Sequence, residues 1–227
     1  MSVNKDIMVL GDVHGEFGRV SSLVNSCGNT PPKILLQCGD FGYFPRIDVE
    51  RKKHKVKYPK LKEAKLYFCD GNHENHWSLK ELTNNEIFPN VFYMKRGSTL
   101  TLPDGRVVLF MGGAYSIDKK LRTMGYDWFP EEVISQKDVE SIHGNMKVDI
   151  VISHTCPFAF DVPESPNFGD KINDPSRHAL SLILRVCKPS LWYFGHWHFY
   201  RTGYTNGCRW TALNMAGRSN WWQYLEV

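Results

Sequence analysis

Nowhere does this chain carry an apolar run approaching the length needed to cross a membrane. Its first residues, Met1-Ser2-Val3-Asn4-Lys5-Asp6, lead straight into a strand-like run without the apolar region of a secretion signal. Six cysteines are scattered singly, with no Cys-x-x-Cys pair among them. Cys38, Cys69 and Cys156 sit within or just after apolar runs, where they read as small buried hydrophobes in a reducing compartment rather than a disulfide framework. Internal repeats, low-complexity segments and clear linkers are also missing. Together these absences predict one cytoplasmic domain over residues 1–227, with no membrane association.

The 227 residues suffice for a proper core, and 42% hydrophobic with 23% charged is ordinary globular composition. A net charge of +4 favours anionic substrates without by itself implying nucleic-acid binding. Composition goes no further.

What the chain does have is a recurring pattern, in which a short apolar run breaks into glycine and residue types that ligate metals. Ile7-Met8-Val9-Leu10 runs into Gly11-Asp12-Val13-His14-Gly15, and Ile34-Leu35-Leu36 leads to Gly39-Asp40-Phe41-Gly42. Leu66-Tyr67-Phe68-Cys69 breaks into Asp70-Gly71-Asn72-His73-Glu74, and Val148-Asp149-Ile150-Val151-Ile152 into Ser153-His154-Thr155. Leu191-Trp192-Tyr193-Phe194 ends in Gly195-His196-Trp197-His198, where two histidines can turn toward one point. Each run reads as a buried strand, and the glycines allow the tight turns that follow.

Helical patterns separate several of these units. Residues 16–27 place Phe17, Val20, Leu23 and Val24 on one face; Ser135 opens a helix to about residue 143; Asp174-Pro175 opens another with its apolar face over residues 179–186. The middle is more antiparallel, with strands at 91–94 and 98–102, a turn at Pro103-Asp104-Gly105, and a strand at 106–111. A hairpin through Asn206-Gly207 and a last strand at 221–227 close the chain. The alternation argues for an α/β layered fold, in which ligand sites gather beyond the carboxyl ends of the strands.

Five strand ends thus offer Asp12, His14, Asp40, Asn72, His73, His154, His196 and His198, and five of the nine histidines fall among them. Carboxylate, imidazole and amide oxygen suit zinc, manganese, iron, cobalt or nickel better than copper(I) or an iron–sulfur cluster. They are too many for one closed four-coordinate site. A carboxylate shared by two ions roughly 3.5–4 Å apart accommodates them, and such a pair can hold a bridging hydroxide as nucleophile. A phosphoester is the substrate type that most needs this, because charge develops on its phosphoryl group.

The ordered set Gly11-Asp12-Val13-His14-Gly15, Gly39-Asp40, Gly71-Asn72-His73-Glu74, His154 and Gly195-His196-Trp197-His198 resembles the calcineurin-like metallophosphoesterase superfamily. The resemblance implies a four-layer αββα sandwich with two mixed β-sheets and a dinuclear metal site at the strand C-terminal ends. It implies that Asp12, His14 and His198 hold one ion, that Asn72, His154 and His196 hold the other, and that Asp40 bridges them. His73 would be the general acid, or would stabilise charge beside the substrate phosphate. Two divalent ions are expected, manganese first, with iron, zinc, nickel or cobalt as alternatives.

One branch is excluded by residues. Protein serine/threonine phosphatases of this superfamily carry Gly-Asp-x-Val-Asp-Arg-Gly, but here Tyr43 replaces the aspartate that would orient the catalytic histidine and Phe44 replaces the phosphate-binding arginine. Glu74 or Asp70 is expected to position His73 instead, and Arg96, Lys119 or Arg122 to meet the phosphate. The expected activity is metal-dependent hydrolysis of a phosphomonoester or phosphodiester. The alternatives are a nucleotide or nucleic-acid phosphodiesterase specifically, and a catalytically silent metal-binding scaffold. The cationic residues of 46–65 read as a solvated face or as a basic rim guiding a phosphate-bearing substrate. Residues 115–130 are a surface loop or an overhang of the site, and 158–173 a long loop or lid. Packing is the expected role of Trp197, Tyr43, Phe44, Trp128, Trp221 and Trp222, against stacking of a nucleobase.

Overall fold

The computed structural model describes residues 2–45, 58–140, 142, 146–162 and 174–227. The basic stretch 46–57 and most of the proposed lid, 163–173, lie outside the described residues.

Consecutive residues of a strand point to opposite faces, so a strand apolar at every position must be covered on both sides. Strand β1 (Val3–Leu10) shows this directly. Ile7 and Val9 enter one buried cluster with Leu36, Val108, Phe110, Ile150, Ile152 and Tyr193. Met8 and Leu10 enter another, with Phe17, Val20, Leu23 and Val24 of helix α1 (Phe17–Ser26). A third cluster sets Leu109, Met111, Val151, Trp192 and Phe194 against Leu180, Ile183 and Leu184. The last three belong to a long helix, α4 (Pro175–Cys187), and Asp174 caps it by accepting the Ser176 N–H at 2.9 Å. The layers are therefore helix, sheet, sheet, helix. Burying side chains of this size contributes roughly 1.5–3 kcal/mol each, which is why the doubly apolar strands occupy the centre.

Among the described residues both sheets are mixed and have six strands. The first runs β12-β1-β2-β3-β5-β4, from β12 (Trp222–Glu226) through β2 (Ile34–Gln37), β3 (Lys65–Phe68) and β5 (Val91–Tyr93) to β4 (Glu86–Phe88). The second runs β10-β11-β9-β8-β7-β6, from β10 (Arg201–Thr205) through β11 (Cys208–Ala212), β9 (Leu191–Phe194), β8 (Ile150–Ser153) and β7 (Val107–Met111) to β6 (Thr99–Thr101). In each sheet the four inner strands are parallel and the two edges antiparallel. The parallel strands β1, β2 and β3 of one sheet and β8 and β9 of the other end in the five motif turns. Stacking the sheets brings those turns together.

The hairpin β6–β7 and the turn at Asn206-Gly207, with φ of 53° and 82°, form as the sequence predicts. The helix after Ser135 is present as α3 (Gln136–Glu140), and residues 141 and 143 of the expected helix lie outside the described residues. A short helix α2 (His76–Lys80) follows the third motif, capped by Asn75. All six cysteines are free thiols, and Cys38, Cys69 and Cys156 are fully buried as small hydrophobes.

Candidate metal centre

Four of the nine described non-glycine residues with positive φ are site residues: His14 (47°), Asp40 (52°), His196 (67°) and His198 (50°). Such backbone costs on the order of 1–3 kcal/mol per residue and persists only where surroundings over-determine it. Gly195 and Gly71 show how tightly these turns are nested. A Cβ at Gly195 would collide with Asp12 Oδ1, and one at Gly71 with Asp40 Oδ1. The glycines let the turns close directly onto the two carboxylates.

Asp12, His14, Asp40 and His198 converge so that one ligand atom from each lies within 4.8 Å of all the others. His198 Nε2 is 2.9 Å from Asp12 Oδ2 and 3.1 Å from His14 Nε2. His14 Nε2 is 3.6 Å from Asp40 Oδ2. Asp12 is anchored from behind, its oxygens accepting the His196 N–H at 3.0 and 3.1 Å.

On the other side of Asp40, His154 Nε2 lies 3.3 Å from Asp40 Oδ1 and 3.0 Å from Asn72 Oδ1. The His196 ring meets that of His154 at a centroid distance of 4.9 Å. His154 Nδ1 is 2.8 Å from the Cys38 carbonyl, which can only accept, so Nδ1 carries hydrogen and Nε2 is the atom turned inward. A carboxylate oxygen, an amide oxygen and an imidazole nitrogen thus crowd around one point. This is the electrostatics of a cation site, and the residues present fit a divalent ion.

The ionisation of the site agrees. Burial opposes charge on His154, yet the Asp40 and Asp12 carboxylates with the Cys38 carbonyl outweigh it and push its pKa up to about 10. Burial would likewise raise Asp40, but His154, His73 and His14 hold its carboxyl well below the usual range. Burial and the charge of His154 keep His196 well below the ordinary imidazole value.

His73 stands beside this cluster. Its backbone N–H donates to Asp40 Oδ1 at 2.7 Å, and its ring lies 5.1 Å from that of His14. Burial lowers its pKa, with Arg122 adding to the effect against Asp40. Arg122 Nη2 is 2.7 Å from His73 Nε2; a guanidinium only donates, so Nε2 accepts. Arg122 also donates to the Asn72 carbonyl at 3.3 Å and pairs with Asp118 at 2.8 Å.

Several expectations for the surroundings give way here. Glu74 does not orient His73; it is buried and accepts the backbone N–H groups of Gly42 and Gly71, tying the second motif to the third. Burial and nearby Asp40 push its pKa up to about 8. Asp70 is committed to Tyr93 and Arg96. Arg96 is in turn consumed by Asp70, Asp138 and the carbonyls of Glu131, Glu132 and Val133, so it has no donor left for phosphate. Lys119 sits over the rings of Tyr115 at 4.6 Å and Trp128 at 5.9 Å. The Tyr43 ring packs edge-on against Phe88, and Trp197 packs beneath Arg177 at 5.4 Å. Both are packing residues, as predicted.

The structure also adds residues that the sequence did not single out. Buried Arg177 donates to the carbonyls of Cys156 at 3.0 Å and Pro157 at 3.1 Å, bracing the turn that carries His154. Ser116, in the segment after β7, accepts from Asn72 and is itself held by Glu132. The one sequence signal for Ser116 was the β7 run ending in Gly112-Gly113, the same apolar-then-glycine pattern as the motifs.

An αββα sandwich with carboxylates and imidazoles gathered where its parallel strands end defines a class of α/β hydrolases that work through bound metal. Within that class the chain belongs to the calcineurin-like phosphoesterase family, whose model matches residues 5–200. It is a hydrolase acting on phosphoester bonds. Comparison with curated proteins gave no match. Among solved structures the chain is similar to TT1561 of Thermus thermophilus, at 12% identity and a TM-score of 0.58, over 92% of this chain and 89% of that one. It is also similar to GAP50, the anchor in the inner membrane complex of Plasmodium, at 11% identity and a TM-score of 0.51, over 97% and 74%. At these identities the likeness is one of fold. No helix among the described residues is long and apolar enough to cross a membrane.

Proposed function

We propose that this chain is a dinuclear phosphoesterase, a single cytoplasmic domain in which Asp12, His14 and His198 hold one divalent ion. Asn72, His154 and His196 hold the other, and Asp40 is shared. The observation that carries this reading is the division of Asp40. Its Oδ2 faces His14 Nε2 at 3.6 Å and its Oδ1 faces His154 Nε2 at 3.3 Å, so each oxygen belongs to a different half-site. Mixed oxygen and nitrogen donors suit manganese, with iron, zinc, nickel or cobalt as alternatives.

When bound, the ions supply an activated water and neutralise charge developing on the phosphoryl group. The protein's own residues do the rest. Arg122, beside both Asn72 and His73, meets the substrate phosphate, and Asp118 holds its guanidinium in that position. While Arg122 donates to His73 Nε2, that nitrogen cannot give a proton to a leaving oxygen. A phosphate that draws Arg122 toward itself frees Nε2 to take up a proton from solvent and pass it to the leaving oxygen, so the acid role of His73 is tied to substrate binding. The donor set is complete, which favours an enzyme over an anchoring role of the kind ascribed to GAP50.

The test is hydrolysis of bis-p-nitrophenyl phosphate and p-nitrophenyl phosphate after chelation, with manganese, nickel, zinc or magnesium restored in turn. Metal-restored turnover is expected. Preference for the diester selects a nucleotide or nucleic-acid phosphodiesterase, and preference for the monoester a phosphatase. Turnover that survives chelation contradicts the metal mechanism.

A further inference from the structure

An asparagine binds metal only through its amide oxygen, and nothing in the side chain itself decides which end of the amide faces the ion. Here the choice is made by two residues outside every motif. Asn72 Nδ2 donates to Ser116 Oγ at 3.0 Å, and Ser116 Oγ–H donates to Glu132 Oε2 at 2.7 Å. Glu132 Oε1 accepts the Ser116 backbone N–H, also at 2.7 Å. Glu132 and Ser116 are each 1% exposed and Asn72 5%, so water does not compete for these bonds.

The donor directions form a chain with one sense. Both Glu132 oxygens are taken up by Ser116, which commits the Ser116 hydroxyl hydrogen to Glu132. Only a lone pair is left on Ser116 Oγ toward Asn72, so the amide must present its NH2 there. Its oxygen is thereby directed to His154 Nε2, 3.0 Å away.

We propose that Ser116 and Glu132 are positioning residues of the second metal half-site, setting the Asn72 amide so that its oxygen faces the ion. The inference rests on the reading of Asn72 as a ligand. A group that orients a ligand from behind typically changes metal affinity about 10–100-fold when removed. Glu132→Gln is the sharper variant, because it is isosteric. A glutamine NH2 facing Ser116 Oγ reverses the sense of the chain: the hydroxyl hydrogen turns to Asn72, and the amide must present its oxygen to Ser116 and its NH2 to the metal.

The experiment is calorimetric manganese titration of the chelated full chain, resolving two equivalents, with near-UV circular dichroism as a check of fold. Ser116→Ala and Glu132→Gln are expected to weaken one equivalent about 10–100-fold and leave the other unchanged. Ser116→Thr, which keeps the hydroxyl, is expected to restore it. Asn72→Ala serves as the control and is expected to lose the same equivalent. If Asn72→Ala loses an ion while Ser116→Ala and Glu132→Gln bind both normally, the inference is overturned and the ligand reading stands. If Asn72→Ala also binds two ions normally, the ligand reading fails and takes the inference with it.

Discussion

His154 and His198 both present Nε2 to a carboxylate of the centre, yet the first is fully buried while the side chain of the second is 38% exposed. The contrast extends to their neighbours. On the His154 side, Asn72 is buried, and the far atoms of both residues are held by hydrogen bonds, His154 Nδ1 to Cys38 and Asn72 Nδ2 to Ser116. On the His198 side, His14 is also partly exposed, its side chain at 22%. On the proposed assignment, the half-site around His154 draws on buried, hydrogen-bonded side chains, and the half-site around His198 faces solvent through His14 and His198. Fixing ligand atoms in advance lowers the ordering cost of binding, so the buried half is expected to hold its ion more tightly.

The most severe way to break this contrast is to remove the residue common to both halves. Asp40→Asn keeps the shape but discards the shared charge, and kcat/KM should fall by about a thousandfold or more, near 4 kcal/mol of transition-state stabilisation. Steady-state kinetics with metal analysis checks it, and unchanged metal content with full activity would count against the shared role.

The next effect separates the halves. His154→Ala should lose one ion and stay inactive at millimolar manganese, because its place is sealed. His198→Ala should lose about 10–100-fold in affinity for the other ion. Added metal or free imidazole should recover its activity, since that side is open. Equal rescue of both variants by imidazole would erase the distinction.

The smallest effect lies just outside the centre. His76 closely follows His73 but faces Asp70 at 3.9 Å. Burial, with Arg96 adding and Asp70 opposing, pushes its pKa down to about 4. Between that value and the unfolded value of about 6.5 the unfolded chain takes a proton that the folded chain refuses. Stability from neutral His76 is therefore complete above the unfolded value and is lost as pH falls through the folded one, an effect of about 3 kcal/mol. Glu74, held up to about 8, acts in the opposite sense, so wild type alone does not isolate the contribution. The readout is the urea-unfolding difference between wild type and His76→Phe, which should shift toward the variant from about pH 7.5 to about pH 4. A pH-independent difference would refute the assignment.

Much of the centre was legible because each candidate ligand follows an apolar run that must become a buried strand. Asp12, Asp40, His154 and His198 could be placed at strand ends from local sequence alone. That the fold has two sheets could not be read this way: β1 and β8 are equally apolar, and only packing shows that Ile7 meets Ile150 while Met8 meets α1. Strand β4 was missed because three residues within a polar stretch carry no period. Arg122, Ser116 and Glu132 illustrate a different limit. Arg122 was one of three candidates that sequence could not rank, and Arg96 fell out only when its buried partners were seen. Ser116 and Glu132 act through bonds to residues 44 and 16 positions away, a separation over which local sequence carries no signal.

The central claim is a shared Asp40 between two ions held by unlike halves. Anomalous diffraction from crystals grown with manganese tests it most directly. Two peaks roughly 3.5–4 Å apart, one on each side of Asp40, are the predicted result, with higher occupancy on the His154 side at limiting metal. A single peak, or two peaks that do not share Asp40, would contradict it.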